Sequence, residues 1–229
     1  MTVRLSLGIA AACLVATLDT PAAAQHPQAI VDRAEADFVD GRLDESVAGF
    51  DRLAALDPAA APWMWQRGIA LYLLGRFDEC TAQFVAYREV NPADAESAVW
   101  HFACVAQARS ADDARAVLAV VGPDRRAMRA EILEMFRGRL APGAVIGRAA
   151  FLAEEALLVA RYYAGLYAEA TGDDEAAAVH LAAAASDRFD GMGGFMHDVA
   201  RVHWARVQPR GGSHPAGVGS ERGPGGSDE

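Results

Sequence analysis

Gly41-Arg42-Leu43-Asp44-Glu45-Ser46 and Gly75-Arg76-Phe77-Asp78-Glu79-Cys80 lie thirty-four residues apart, and the register they set runs on through the chain. Phe50 falls on Phe84, Leu53 on Tyr87, Leu56 on Val90, and Asp57-Pro58 on Asn91-Pro92. One shared glycine would mean little, but this many matches at a single spacing point to duplication of one structural unit. In each copy an apolar stretch of helical period precedes the Gly-Arg-apolar-Asp-Glu turn, a second amphipathic stretch follows it, and Asx-Pro ends it. The order predicts a helical hairpin: glycine takes the left-handed conformation that closes the first helix, and proline stops the second.

The rest of the composition agrees with an all-α protein. The chain has 229 residues, 52% of them hydrophobic but only 8% aromatic, and about 51 are alanine. That mixture favours close-packed helices over a sheet, which would need more β-branched and aromatic side chains. With 31 acidic residues against 21 basic ones, all arginine, the net charge is −10. A nucleic acid or an anionic membrane surface would be repelled, so neither is expected as a partner.

Both ends read differently from the middle. Met1-Thr2-Val3-Arg4, an uncharged apolar run from Leu5 to Leu18, and Pro21-Ala22-Ala23-Ala24 have the order of a secretory signal peptide cleaved after Ala24. The run is too short for the ~20 residues of a spanning helix, so no stable membrane insertion is expected after cleavage. Lipidation at Cys13 is less favoured, since the leucine expected three residues before it is absent. Export of this kind suggests a bacterial periplasm, where Cys80 and Cys104 would meet an oxidising environment. Residues 209–229 are rich in Gly, Pro and Ser and have little to bury, which predicts a disordered tail. The expected organisation is a signal peptide over 1–24, one helical repeat domain over 25–208 and the tail.

The repeated residues resemble the tetratricopeptide repeat family. That pattern's places are filled by Ala34, Phe38, Gly41, Leu43, Ser46, Phe50, Leu53 and Pro58 in one copy, and by Gly68, Tyr72, Gly75, Phe77, Cys80, Phe84, Tyr87 and Pro92 in the next. A degenerate third unit would pair helices at Ala95–Ala108 and Ala111–Val121. A fourth would run through Tyr162-Tyr163-Ala164-Gly165-Leu166-Tyr167 and Thr171-Gly172-Asp173-Asp174, with Leu181 on its second helix. Residues from Asp124 to Ala160 read as helix without repeat features, and Met192–Val207, with Phe195, Val199, Val202 and Trp204, reads as a capping helix. The resemblance covers about residues 28–190 and implies a right-handed superhelix of antiparallel helical hairpins. In plan it is also loosely similar to bacterial periplasmic repeat lipoproteins of the NlpI kind, adaptors for envelope proteases and hydrolases.

The resemblance also implies where a partner would sit. First-helix positions line the concave face, and they fall on Val31, Glu35, Phe38 and Val39, then Trp65, Ile69, Tyr72 and Leu73. Less securely they continue at Val99 and Ala103, then at Tyr162, Leu166 and Glu169. Lysine, asparagine and arginine, which family members use to clamp a peptide carboxylate, are absent there. The groove expected from Phe38, Trp65, Ile69, Tyr72 and Tyr162 therefore suits an apolar or basic segment of a protein or peptide partner, with Trp and Tyr as anchors. A small or polymeric cell-envelope ligand in the same groove is the alternative, and core packing of Trp65 and Tyr72 would remove both. The repeat positions of Cys80 and Cys104 put them on adjacent antiparallel helices, either as a disulfide staple or as two small buried hydrophobes.

No catalytic constellation is evident, so no enzyme and no cofactor is expected. None of the six histidines pairs with another at helical ligand spacing, which leaves no metal site to predict; His197 and His203 point about 120° apart. His101 beside Trp100 reads as a core or groove histidine. Gly191-Met192-Gly193-Gly194 resembles a phosphate loop, but no strand precedes it and the chain has no lysine, so it reads as a turn. Asp112-Asp113 and Asp173-Asp174 read as helix starts, where free N–H groups favour carboxylates.

Overall fold

The computed structural model describes residues 26–208 apart from Pro123, so the expected signal peptide and tail lie outside the described residues. Among the described residues there are eleven α-helices and no strand. They are α1 (Pro27–Val39), α2 (Leu43–Leu56), α3 (Trp65–Leu73), α4 (Phe77–Val90), α5 (Ala95–Ala108), α6 (Ala111–Val117), α7 (Arg129–Phe136), α8 (Pro142–Ala149), α9 (Glu154–Ala170), α10 (Asp174–Ala184) and α11 (Phe195–Val207). The all-α class is thus shown. None of these helices is long and apolar enough to cross a membrane.

The quoted stretches do the same thing in both places. Gly41 and Gly75 sit at φ 76° and 75°, and each donates its N–H to the carbonyl three residues back, Phe38 and Tyr72, at 2.9 Å. The following Arg42 and Arg76 donate to Asp37 and Leu71 at 2.8 and 2.9 Å. These paired bonds satisfy carbonyls that the end of a helix leaves free, and only a residue at home with positive φ can make them. The chain then turns directly into the next helix, so α1 packs on α2 and α3 on α4. Gly172 closes α9 with the same pair of bonds before α10.

Within a hairpin, a small residue on the first helix receives a large one from the second. A Cβ on Gly68 would come within 2.6 Å of the Phe84 ring, and one on Gly165 within 2.7 Å of Leu181. In the first hairpin the accommodation is reversed, since Gly49 of α2 is the residue pressed against Ala34. Phe50 and Phe84 are both buried but in different clusters. Phe50 packs with Ile30, Ala34, Leu53 and Met64, whereas Phe84 belongs to the main core and stacks on Trp100 at 6.0 Å.

Three boundaries depart from the sequence reading. Helix α6 ends at Val117, because Val117, Val120 and Val121 are poor helix formers and Gly122-Pro123 forbids an extension. The stretch from Asp124 to Ala160, expected to be helical with no internal boundaries assigned, is divided among three helices: Gly138 closes α7 at φ 74°, Pro142 opens α8, and α9 begins after the extended Ala153. The last helix starts at Phe195, since Gly191, Gly193 and Gly194 all take positive φ. The expected carboxylate caps hold in part: Asp173 accepts the Ala176 N–H at 3.0 Å, but Ser110 caps α6 in place of Asp112 or Asp113.

Candidate functional site

The first-helix residues expected to line a groove do come together, and the chain's own last helix lies over them. Phe38, Ile69, Tyr72 and Tyr162 are buried, and Trp65 is half-buried. Phe195 at the start of α11 packs on Phe38 and Trp65, with ring centroids 5.0 and 5.5 Å away. Further along α11, His203 packs edge-on against both Tyr72 and Tyr162 at 5.9 Å. What seats α11 is partly the glycine turn before it. A Cβ on Gly193 would meet the terminal methyl of Leu158 of α9 at 2.5 Å, and φ 68° there also favours glycine.

Beneath α11 is a buried polar network that spacing along the chain does not reveal. Tyr72 donates its hydroxyl to Glu169 Oε2 at 2.7 Å, and His203 Nε2 lies 3.1 Å from the same oxygen. The Tyr162 hydroxyl is 3.2 Å from His203 Nδ1, and Gln107 donates to the Glu169 backbone carbonyl at 3.2 Å. Both ring nitrogens of His203 thus have a partner, Nε2 at Glu169 and Nδ1 at Tyr162. Burial pushes the Glu169 carboxyl up, but the His203 and Tyr72 hydrogen bonds and the nearby imidazole outweigh it and hold the group below its ordinary range. Burial, together with the Glu169 charge, raises Tyr72 and Tyr162 well above an ordinary phenol. The network binds α3, α5, α9 and α11 together.

The open site is beside α11. A cleft of about 320 Å³ has an aromatic wall of Trp65, Phe84, Tyr87, Trp100, Tyr163 and Phe195, with Met196 and Gly193 at its edge. Its polar end is the start of α5, with Asp94, Glu96 and Ser97, facing Arg126. Asp94 is there as the cap of α5, accepting from the N–H groups of Glu96 and Ser97 at 3.3 and 3.2 Å. The Arg126 guanidinium bonds Asp94, Glu96 and Asp124, and Glu96 also receives the Tyr163 hydroxyl at 2.7 Å and Arg129 at 3.2 Å. Hydrogen bonding to Arg126 brings the Asp124 carboxyl down to about 2. Of the residues expected at the groove, only Trp65 lines this cleft. Trp100, Tyr163 and Arg126 carry no local pattern that marks them, because they meet across α5, α9 and the α6–α7 connection.

Cys80 and Cys104 form a disulfide between α4 and α5, with Cα atoms 5.8 Å apart and both side chains fully buried. One turn before Cys104, His101 is also buried, and desolvation with the nearby Arg88 charge lowers its pKa to about 4. Among the described residues no group of three or more His, Cys, Asp or Glu side chains is placed to hold a metal ion. No protein-family model matches the chain, and no curated protein matches it.

Proposed function

We propose that the protein is an exported interaction module of the tetratricopeptide kind, an adaptor that takes a segment of a partner protein into the aromatic cleft beside α11. On this reading the hairpins stack as a right-handed superhelix, and α11 is the cap, folded back over the concave face. The identical turns at Gly41, Gly75 and Gly172 and the recurring small-on-large contacts support the repeat. A buried disulfide fits an oxidising compartment such as the periplasm.

The observation that carries the function is the cleft itself: six aromatic side chains converge on an open space next to a helix that fills the rest of the face. Trp and Tyr in such places are the usual anchors of an interface. The cleft's volume also suits a small or polymeric envelope ligand, which makes that the second reading. The test is crosslinked affinity purification with the mature protein as bait, comparing wild type with Trp65→Ala/Met196→Ala. Both side chains are half-buried at the cleft edge, so the variant should keep its helical circular dichroism while partner capture falls at least fivefold. Unchanged capture would reject the cleft. A gain in thermal stability with a glycan or metabolite, and no protein captured, would favour the second reading.

A further inference from the structure

Three surface clefts meet at one side chain. Arg126 stands on the segment between α6 and α7 and closes the polar end of the aromatic cleft. It also lines a second cleft of about 280 Å³ with Tyr87, Asn91 and Asp124, and a third of about 450 Å³ against Leu152, Ala156 and Val159. The carboxylates it bonds are rigidly placed and nearly covered, with side chains 9% (Asp94), 16% (Glu96) and 8% (Asp124) exposed. Arg126 itself is 48% exposed. The anions are therefore built into the protein, while the cation is the half-solvated member of the cluster.

Charge decides what can enter. Across the three clefts four carboxylates, Asp94, Glu96, Asp124 and Glu155, face three guanidiniums, Arg125, Arg126 and the well-buried Arg129, so the site keeps a negative surplus of one within a chain of net charge −10. We propose that the site takes an extended polypeptide segment with one arginine or lysine between apolar residues, whose cation replaces Arg126 on Asp94 and Glu96. The apolar neighbours on one side then fill the aromatic cleft, and those on the other lie along Leu152, Ala156 and Val159, with Arg126 no longer dividing the two. This inference rests on the cleft reading above and names the partner's chemistry. Exchanging one cation for another on the same carboxylates is close to neutral, and a half-exposed arginine returns to water at little cost. The apolar flanks supply the affinity and the basic residue supplies the selectivity. A neutral segment leaves Arg126 in place, and an acidic one meets the surplus negative charge. Asp124 keeps the Arg126 and Ala95 backbone N–H groups, at 3.0 and 3.4 Å, so the connection stays anchored when the guanidinium leaves.

The test uses three pools of acetylated, amidated nonapeptides passed over the immobilised mature protein. The central residue is arginine, its uncharged isostere citrulline, or glutamate; positions two and four residues to either side are randomised among apolar residues, and the others are serine. The arginine pool should be retained at least tenfold better than the citrulline pool, and the glutamate pool least. Arg126→Gln, which removes the internal competitor, should raise arginine-pool retention severalfold. Asp94→Asn/Glu96→Gln should retain the arginine and citrulline pools equally, and asparagine preserves the α5 cap. Equal retention of arginine and citrulline pools by the wild type, lost in Trp65→Ala, would overturn the basic-residue inference and leave the cleft standing. Retention no better than that of Trp65→Ala for every pool would overturn both. If Asp94→Asn/Glu96→Gln fails to fold, folded Arg126→Gln decides alone: a fall in its arginine-pool retention overturns the inference.

Discussion

Gly68 has no side chain because Phe84 stands where one would be, 2.6 Å from the position a Cβ would take. The matching residue of the preceding hairpin is Ala34, which is accommodated because its own facing residue is Gly49. The two pairs solve one packing problem from opposite sides. Gly68→Ala should therefore destabilise the protein by about 1–3 kcal/mol, as overpacking does, even though alanine is the better helix former by about 1 kcal/mol. Urea unfolding of the variant measures this. A stabilised variant would show that α3 and α4 can move apart freely. At this scale the sequence was readable where chemistry repeats at a fixed spacing, as at Gly41, Gly75 and Phe84. It placed Glu169 among the first-helix positions but was silent on its partner His203, since the two sit on different helices and their pairing has no spacing to mark it.

Helices α4 and α5 are joined three ways: by packing, by the Phe84–Trp100 stack and by the Cys80–Cys104 bond. The bond spans 24 residues, for which the chain-entropy model gives about 3.5 kcal/mol of stabilisation. Denatured, unreduced mature protein should accordingly titrate fewer than two thiols, and Cys80→Ala/Cys104→Ala should lower the unfolding free energy by about that amount. Two free thiols per chain would remove the bond. Element boundaries were less legible than element types. Gly138-Arg139-Leu140 carries the same Gly-Arg-apolar signature as Gly41-Arg42-Leu43, and it closes α7 with the same pair of backbone bonds. It falls outside the thirty-four-residue register, so periodicity does not mark it although its local chemistry is complete. The end of α6 could not be placed from apolar periodicity, which continues past the point where valines and the coming Gly-Pro end the helix.

Across the whole molecule, α11 covers the first-helix residues that a repeat pattern would leave open. Phe38, Ile69, Tyr72 and Tyr162 lie together in one buried core, and a pattern of first helices says nothing about which helix returns to cover them. Acid should loosen that cover. The Glu169 carboxyl is held below its ordinary value of 4.5 in the folded state, so its contribution is complete above that pH and is lost as the pH falls through the lower, folded value. Hydrogen exchange followed from about pH 5 to about pH 3 should show the α11 amides losing protection relative to those of α4 and α5. Glu169→Gln should weaken this dependence, and equal loss in all three helices would mean that α11 is not separately latched.

The ring contact between Phe38 and Phe195 joins the first described helix to the last. An open row of hairpins frays from either end, each unit answering only to its neighbours. Here Phe38 and Phe195 fasten the two outermost described helices to each other, so loosening either withdraws support from the other, and a change at Phe195 should be felt in α1.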